Sequence, residues 1–158
     1  MKRLILLAGI VVGILCACVV RSNGQTKTPI SMKLNAGIAT VKLKESKDFY
    51  TLVLGFGVSF ENDFYLLLHT PDGSAQLSFL LPDHPSQHAL FKPAYGGRGM
   101  YLTLEVEDVD AVFAQMKKQG IPLAFDVRTE PWGDRHFGLT DPNGIAIDIV
   151  TYTQPEKP

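Results

Sequence analysis

The sequence predicts an α+β fold: two βαβββ modules, each curling into half of an open mixed-sheet barrel with its helix outside. Three observations predict it. A run of strand, helix and three strands occurs twice along the 158-residue chain, as a shared pattern with little shared identity. Each helix carries its own start and stop signals. The chain ends on a hairpin whose turn, Asp141-Pro142-Asn143-Gly144, has specific chemistry: proline presets φ, and Asn-Gly tolerates the positive φ of a tight reversal.

In the first module, Met32 to Leu43 alternates like a strand. Ser46 then reads as the N-cap of a short helix, with Asp48 in its first turn and Phe49, Leu52 and Val53 on one face. Gly55 and Gly57 end that helix. Val58–Glu61, Phe64–His69 and Ala75–Leu81 read as strands, separated by Asn62-Asp63 and Pro71-Asp72-Gly73. From Pro82 to Arg98 the pattern lapses into a proline- and glycine-bearing connection.

The second module repeats the order. Met100–Val106 is a strand. Asp108 caps a helix with Val109, Val112, Phe113 and Met116 on one face, Lys117-Lys118 in its last turn and Gly120 at its end. Leu123–Val127 is a strand and Arg128–Asp134 a loop. The closing strands are Arg135–Thr140 and Ile145–Thr151. In the last of these, Ile145, Ile147 and Ile149 take one face, and Ala146, Asp148 and Val150 the other. A carboxylate amid such apolar residues sits at an edge, in water, or in a cavity.

Composition is that of a globular domain, with 46% hydrophobic and 20% charged residues and a net charge of −1. No basic footprint for nucleic acid is present. Lys2-Arg3 precedes an apolar run from Leu4 to Val20, which reads as an export signal and is short of the ~20 residues of a membrane span. Both cysteines, Cys16 and Cys18, lie within it, so the mature domain has neither a disulfide nor a thiol nucleophile. Leu15-Cys16-Ala17-Cys18 resembles a bacterial lipobox, which implies cleavage before Cys18 and lipid on Cys18. The expected organisation is a lipoprotein-type signal peptide over 1–18 and a flexible tether over 19–30. A single domain over 31–153 follows, with modules 31–81 and 98–153. The expected location is the cell envelope, as an exported, membrane-anchored lipoprotein.

Asp48-Phe49-Tyr50-Thr51-Leu52-Val53-Leu54-Gly55-Phe56 resembles the helix end of the glyoxalase, bleomycin-resistance and extradiol dioxygenase proteins, the vicinal oxygen chelate superfamily. Pro131-Trp132-Gly133-Asp134-Arg135-His136-Phe137 followed by Asp141-Pro142-Asn143-Gly144 is similar to a second signature of that family, and Asp108-Val109-Asp110-Ala111 fits its second helix. The resemblance implies a divalent ion held by one residue, usually His or Glu, on each of four inner strands. Those positions carry Asn35, Gln76, Tyr101 and Asp148. Two amide carbonyls, a phenol and one carboxylate are a weak donor set, so no cofactor is expected, although a divalent metal remains an alternative.

Residues in phase with these four would line the cavity. Asn35, Gln76, Ser78, Tyr101 and Thr103 offer polar groups for a ligand, and Trp132 is either a stacking surface or a packing anchor. Asp148, Glu105 and His136 are the candidate acid–base residues. Against that, Glu105 reads as solvated at the cavity mouth, Asp148 as hydrogen-bonded to Tyr101 or Gln76, and His136 as a surface residue. His69, His84 and His88 read as exposed loop residues, and Arg135 as structural. The resemblance implies a small-molecule-binding domain. The alternatives are a lyase, isomerase or dioxygenase of the same fold and a structural protein with a filled cavity. Relatives often pair, which makes a homodimer an expected partner state.

Overall fold

Strand, helix and three strands are built twice in the computed structural model, which describes residues 32–153. The signal segment, Cys18 included, and the whole tether lie outside the described residues. The first module contains β1 (Asn35–Ala39), α1 (Leu43–Leu52), β2 (Gly57–Glu61), β3 (Tyr65–His69) and β4 (Gln76–Leu80). A connection with a short 3₁₀ turn at Ala89–Phe91 leads to β5 (Tyr101–Glu105), α2 (Val109–Lys118), β6 (Phe125–Thr129), β7 (Asp134–Thr140) and β8 (Ala146–Tyr152).

The two sheets have the same topology, β1-β4-β3-β2 and β5-β8-β7-β6. In each, the first strand pairs with the fourth in parallel and the remaining pairs are antiparallel. The sheets are separate and do not close into a barrel, as an open-sheet fold requires. Period-2 alternation decides which side is buried. Leu66, Leu68, Leu77 and Phe79 of one sheet and Phe137, Leu139, Ile147 and Ile149 of the other face the helices. They share a core with Tyr50, Phe56 and Met116.

Element ends differ from the sequence expectation in two informative places. Ser46 is not the cap of α1. The cap position is Lys42, without a side-chain cap, and the Thr40 hydroxyl accepts the Lys42 N–H at 3.1 Å. Ser46 lies buried inside the helix. The second difference is at β6, which runs to Thr129, so Arg128 is a strand residue. The reversal is a tight turn in which the Gly133 N–H donates to the Glu130 carbonyl at 3.0 Å, with Gly133 at φ 104°. Pairing therefore continues to Thr129 opposite Arg135. By contrast α2 follows its signals: the Asp108 carboxylate accepts the Ala111 N–H at 3.0 Å, a cap worth about 1 kcal/mol, and Gly120 ends it at φ 71°. Arg135 pairs with Asp110 in the first turn of α2, its Nε donating at 2.6 Å.

The Asp141–Gly144 turn does more than reverse the chain, because it joins the modules. The Asp141 carboxylate, 5% exposed, accepts the N–H groups of Asn143 and Ile145, both at 2.8 Å, and the Tyr50 hydroxyl at 3.2 Å. Asn143 Nδ2 donates to Asp141 at 3.0 Å and to the Ser46 hydroxyl at 2.9 Å. Its Oδ1 accepts from the Thr40 hydroxyl at 2.7 Å. Lys42 Nζ donates to the Pro142 carbonyl at 2.5 Å. Burial, and then the neighbouring Asp141 carboxylate, push the Tyr50 phenol far above the ordinary tyrosine range.

Candidate functional site

The face of each sheet turned away from the core carries the polar residues singled out from the sequence. On the first sheet Asn35 lies opposite Gln76, and Gln76 opposite His69. Asn35 and Gln76 are exposed. Ser78 is buried, and its hydroxyl donates to the Ala36 carbonyl at 3.3 Å. His69 ends β3, as the strand expected over Phe64–His69 implies, but it is half-buried and not exposed, with its ring over Gly57. A Cβ on Gly57 would lie 2.2 Å from His69 Nε2, so glycine is what admits the imidazole. His84 is likewise half-buried, stacked on Phe64 with ring centroids 3.8 Å apart.

On the second sheet Thr103 lies opposite Asp148, Tyr101 opposite Ala146 and Glu105 opposite Val150. Tyr101, Thr103 and Glu105 are exposed, Tyr101 at 70%. Asp148 does not bond Tyr101 or Gln76. Its partner is His136, whose Nδ1–H donates to Asp148 Oδ1 at 2.7 Å. The physical reason is register: Gly138 lies opposite Asp148, leaving His136 as the diagonal neighbour on the same face. On its other side His136 Nε2 is 3.4 Å from Glu130 Oε1, and Arg128 Nε pairs with the same oxygen at 2.6 Å. The side chains of His136, Glu130 and Asp148 are 12%, 15% and 29% exposed. Phe125 closes the cluster. It packs edge-on to His136 at 5.2 Å between centroids and lies over Gly138, where a Cβ would come within 2.3 Å of its ring.

Of the three acid–base candidates, Asp148 and His136 are therefore brought together, and Glu105 stands apart across β8. His136 is an internal member of a polar cluster and not a surface residue. Glu130 and Arg128 are additions the sequence reading missed by assigning Arg128–Asp134 to a loop. Trp132 sits at the tip of the β6–β7 turn, 61% exposed. Among the described residues no group of three His, Cys, Asp or Glu side chains is arranged to hold a metal ion.

A groove of about 890 Å³ lies elsewhere, between the C-terminal end of α1, the β3–β4 turn, β5 and α2. Thr103 and Glu105 are the only members of the expected cavity set that line it.

Solved structures match this architecture. TnmS3, an antibiotic-binding protein from a Streptomyces species, is 22% identical with a TM-score of 0.62, over 80% of this chain and all of that one. A superfamily member from Sphaerobacter thermophilus is 24% identical with a TM-score of 0.60, over 77% of this chain and 98% of its own. A lactoylglutathione lyase from Agrobacterium tumefaciens is 19% identical with a TM-score of 0.61, over 78% of this chain and 95% of its own. At these identities the likeness shows the fold alone. No curated protein matches the chain. The family model of the Glyoxalase/Bleomycin resistance protein/Dioxygenase superfamily matches residues 34–149, most of the chain. The chain belongs to the glyoxalase/bleomycin resistance protein/dioxygenase superfamily.

Proposed function

We propose that this chain is an exported, small-molecule-binding member of its superfamily that works without the family's metal quartet. The observation that carries the reading is the state of Asp148. It is the one anionic group at the four family positions, and His136 Nδ1 occupies its Oδ1 at 2.7 Å. The donors left are the amides of Asn35 and Gln76 and the phenol of Tyr101. That set does not fit a divalent transition ion, and no step is routed through one. The groups instead suit hydrogen bonding to an organic ligand. Asn35, Gln76, Ser78, Tyr101, Thr103 and the Arg128–Glu130–His136–Asp148 cluster supply donors and acceptors, and Trp132 a flat apolar surface. TnmS3, which binds an antibiotic, has the same fold, and sequestration of a small molecule is the corresponding role here.

The exposed faces of the two sheets need a cover to exclude water from a ligand, and a second copy of the chain in a homodimer would provide it. A second reading, favoured by the carboxylates on both sides of His136, is an acid–base lyase, isomerase or dioxygenase of the same fold.

Melting temperature across a compound panel, with and without added Zn²⁺, Ni²⁺, Fe²⁺ and Mn²⁺, tests the reading. Binding to the native state raises stability by about 2.7 kcal/mol at a hundredfold excess over Kd. A ligand-induced rise with no metal effect is the expected result. Stoichiometric metal in protein purified without chelator would overturn the metal-free reading. Export with lipid on Cys18 belongs to the same proposal and is read from the mass of the mature N-terminus. An acylated chain starting at Cys18 is expected, and a start well beyond it would remove the anchor.

A further inference from the structure

The groove between the modules lies at the β5 edge of the second sheet, two strands away from His136 on β7. Its walls include Phe56, Leu104, Met116 and Ile149, all part of or packed on the core. At about 890 Å³ it is the size of an organic-ligand site, for which roughly 300–1,000 Å³ is usual. Its charged lining is of one sign. Asp72, Glu105 and Glu107 border it, and among the described residues no Lys, Arg or His does. On α2, Lys117 is engaged elsewhere, 3.5 Å from Asp126 and over the Phe113 ring at 5.0 Å. Gln115 and Gln119 add neutral amides along the same helix.

We infer that this groove is a second binding site, for an organic cation with an apolar body. The charge complementarity is direct. An apolar body gains by burial against the leucine, methionine and isoleucine walls. A positive centre gains from three carboxylates that have no basic lining residue to neutralise them, and a negative one is repelled by the same field. Asp72 is a dependable part of that field. Hydrogen bonds from the Thr70 hydroxyl and from the Ser74 backbone and hydroxyl hold its carboxyl down at about 2, so it stays ionised across the physiological range. Met116 supplies a flexible, polarisable wall that adapts to ligands of differing shape.

Two ions of nearly equal shape and opposite charge test this. Tetraphenylphosphonium and tetraphenylborate are titrated separately into the full chain by calorimetry. Tetraphenylphosphonium is expected to bind at least about tenfold more tightly, the preference falling with added salt. The Glu105→Gln/Glu107→Gln double variant should weaken the cation about tenfold and narrow the gap between the ions. Gln115→Trp, an exposed helix position that fills the groove, should abolish binding. Equal affinity for both ions, or no saturable binding of the cation, overturns the proposal. Retention in Gln115→Trp with loss in Asp148→Asn also overturns it, by placing the cation at the His136 cluster. Melting temperatures establish that each variant is folded, and the comparison of the two ions on the unaltered chain decides the matter without any variant.

Discussion

The Asp141→Ala variant is expected to melt roughly 10–15 °C below the unaltered chain, a loss of about 4 kcal/mol. The carboxylate it removes accepts four hydrogen bonds, from the N–H groups of Asn143 and Ile145, from Asn143 Nδ2 and from the Tyr50 hydroxyl. Ile145 and Tyr50 are fully buried, so their donors would be left without water or any replacement partner. Each such orphaned group costs about 1–3 kcal/mol. Asn143 would also lose the contact that aims its amide at Ser46 and Thr40, and with it the joint between the modules. Asp141→Asn retains an acceptor oxygen and should cost much less. A pH series separates the Tyr50 contribution. Its phenol is held neutral in the folded state far above the usual range, by burial first and by Asp141 second, whereas in the unfolded chain it ionises near pH 10. The raised folded pKa means that its contribution is complete below about pH 10 and is lost as pH rises beyond, by up to about 1.4 kcal/mol per pH unit. Denaturant midpoints between pH 8 and pH 11 should show this decline. Tyr50→Phe should flatten it, and an unchanged alkaline limb in that variant would show that Tyr50 is not its source.

What could be read from the chain was what local rules reach. The alternation of Ile147 and Ile149, and of Phe137 and Leu139, gave the buried faces, because a strand's period of two is independent of tertiary context. Asp108 could be assigned as a cap because its partner, Ala111, is three residues away. Ser46 misled because a serine before an apolar stripe satisfies the same local rule, while its actual partner, Asn143, is 97 positions distant. The DPNG turn was recognised as a turn but not as a joint, since no local pattern names Tyr50 or Thr40 as its neighbours. His69 looked exposed, at the end of a strand beside Thr70-Pro71. The residue that seats it is Gly57, which contributes only the absence of a side chain. The pairing of His136 with Asp148 was within reach, because the hairpin register puts Gly138 opposite Asp148. Glu130 and Arg128 were out of reach once the turn was drawn too wide. The groove has no sequence signature, because its walls come from both modules.

His136→Ala is expected to weaken the best ligand found by the melting panel by about 10- to 100-fold, some 1.4–2.7 kcal/mol. The imidazole stands between the two carboxylates, its Nδ1 2.7 Å from Asp148 and its Nε2 3.4 Å from Glu130. Without it two partly buried carboxylates face a shared space with no hydrogen between them, and one must turn to solvent or to Arg128. The ligand then meets a rearranged and more negative surface, which makes the loss larger than that of one contact. The coupling is measurable. Asp148→Ala alone should also weaken binding, and the double variant should weaken it by less than the sum of the two, with an interaction of about 1–2 kcal/mol. The same variants divide the two functional readings. In a binding protein the whole effect falls on Kd. In an acid–base enzyme kcat falls while KM is nearly constant, because His136 would act on the transition state and not on the bound substrate. His136→Gln is the decisive companion. Its amide can still donate to Asp148, so it should recover much of the affinity of a binder, but it carries no titrating proton and would recover no turnover. Full additivity of His136→Ala and Asp148→Ala would mean that the two residues do not act as one unit, and both readings of the cluster would fall.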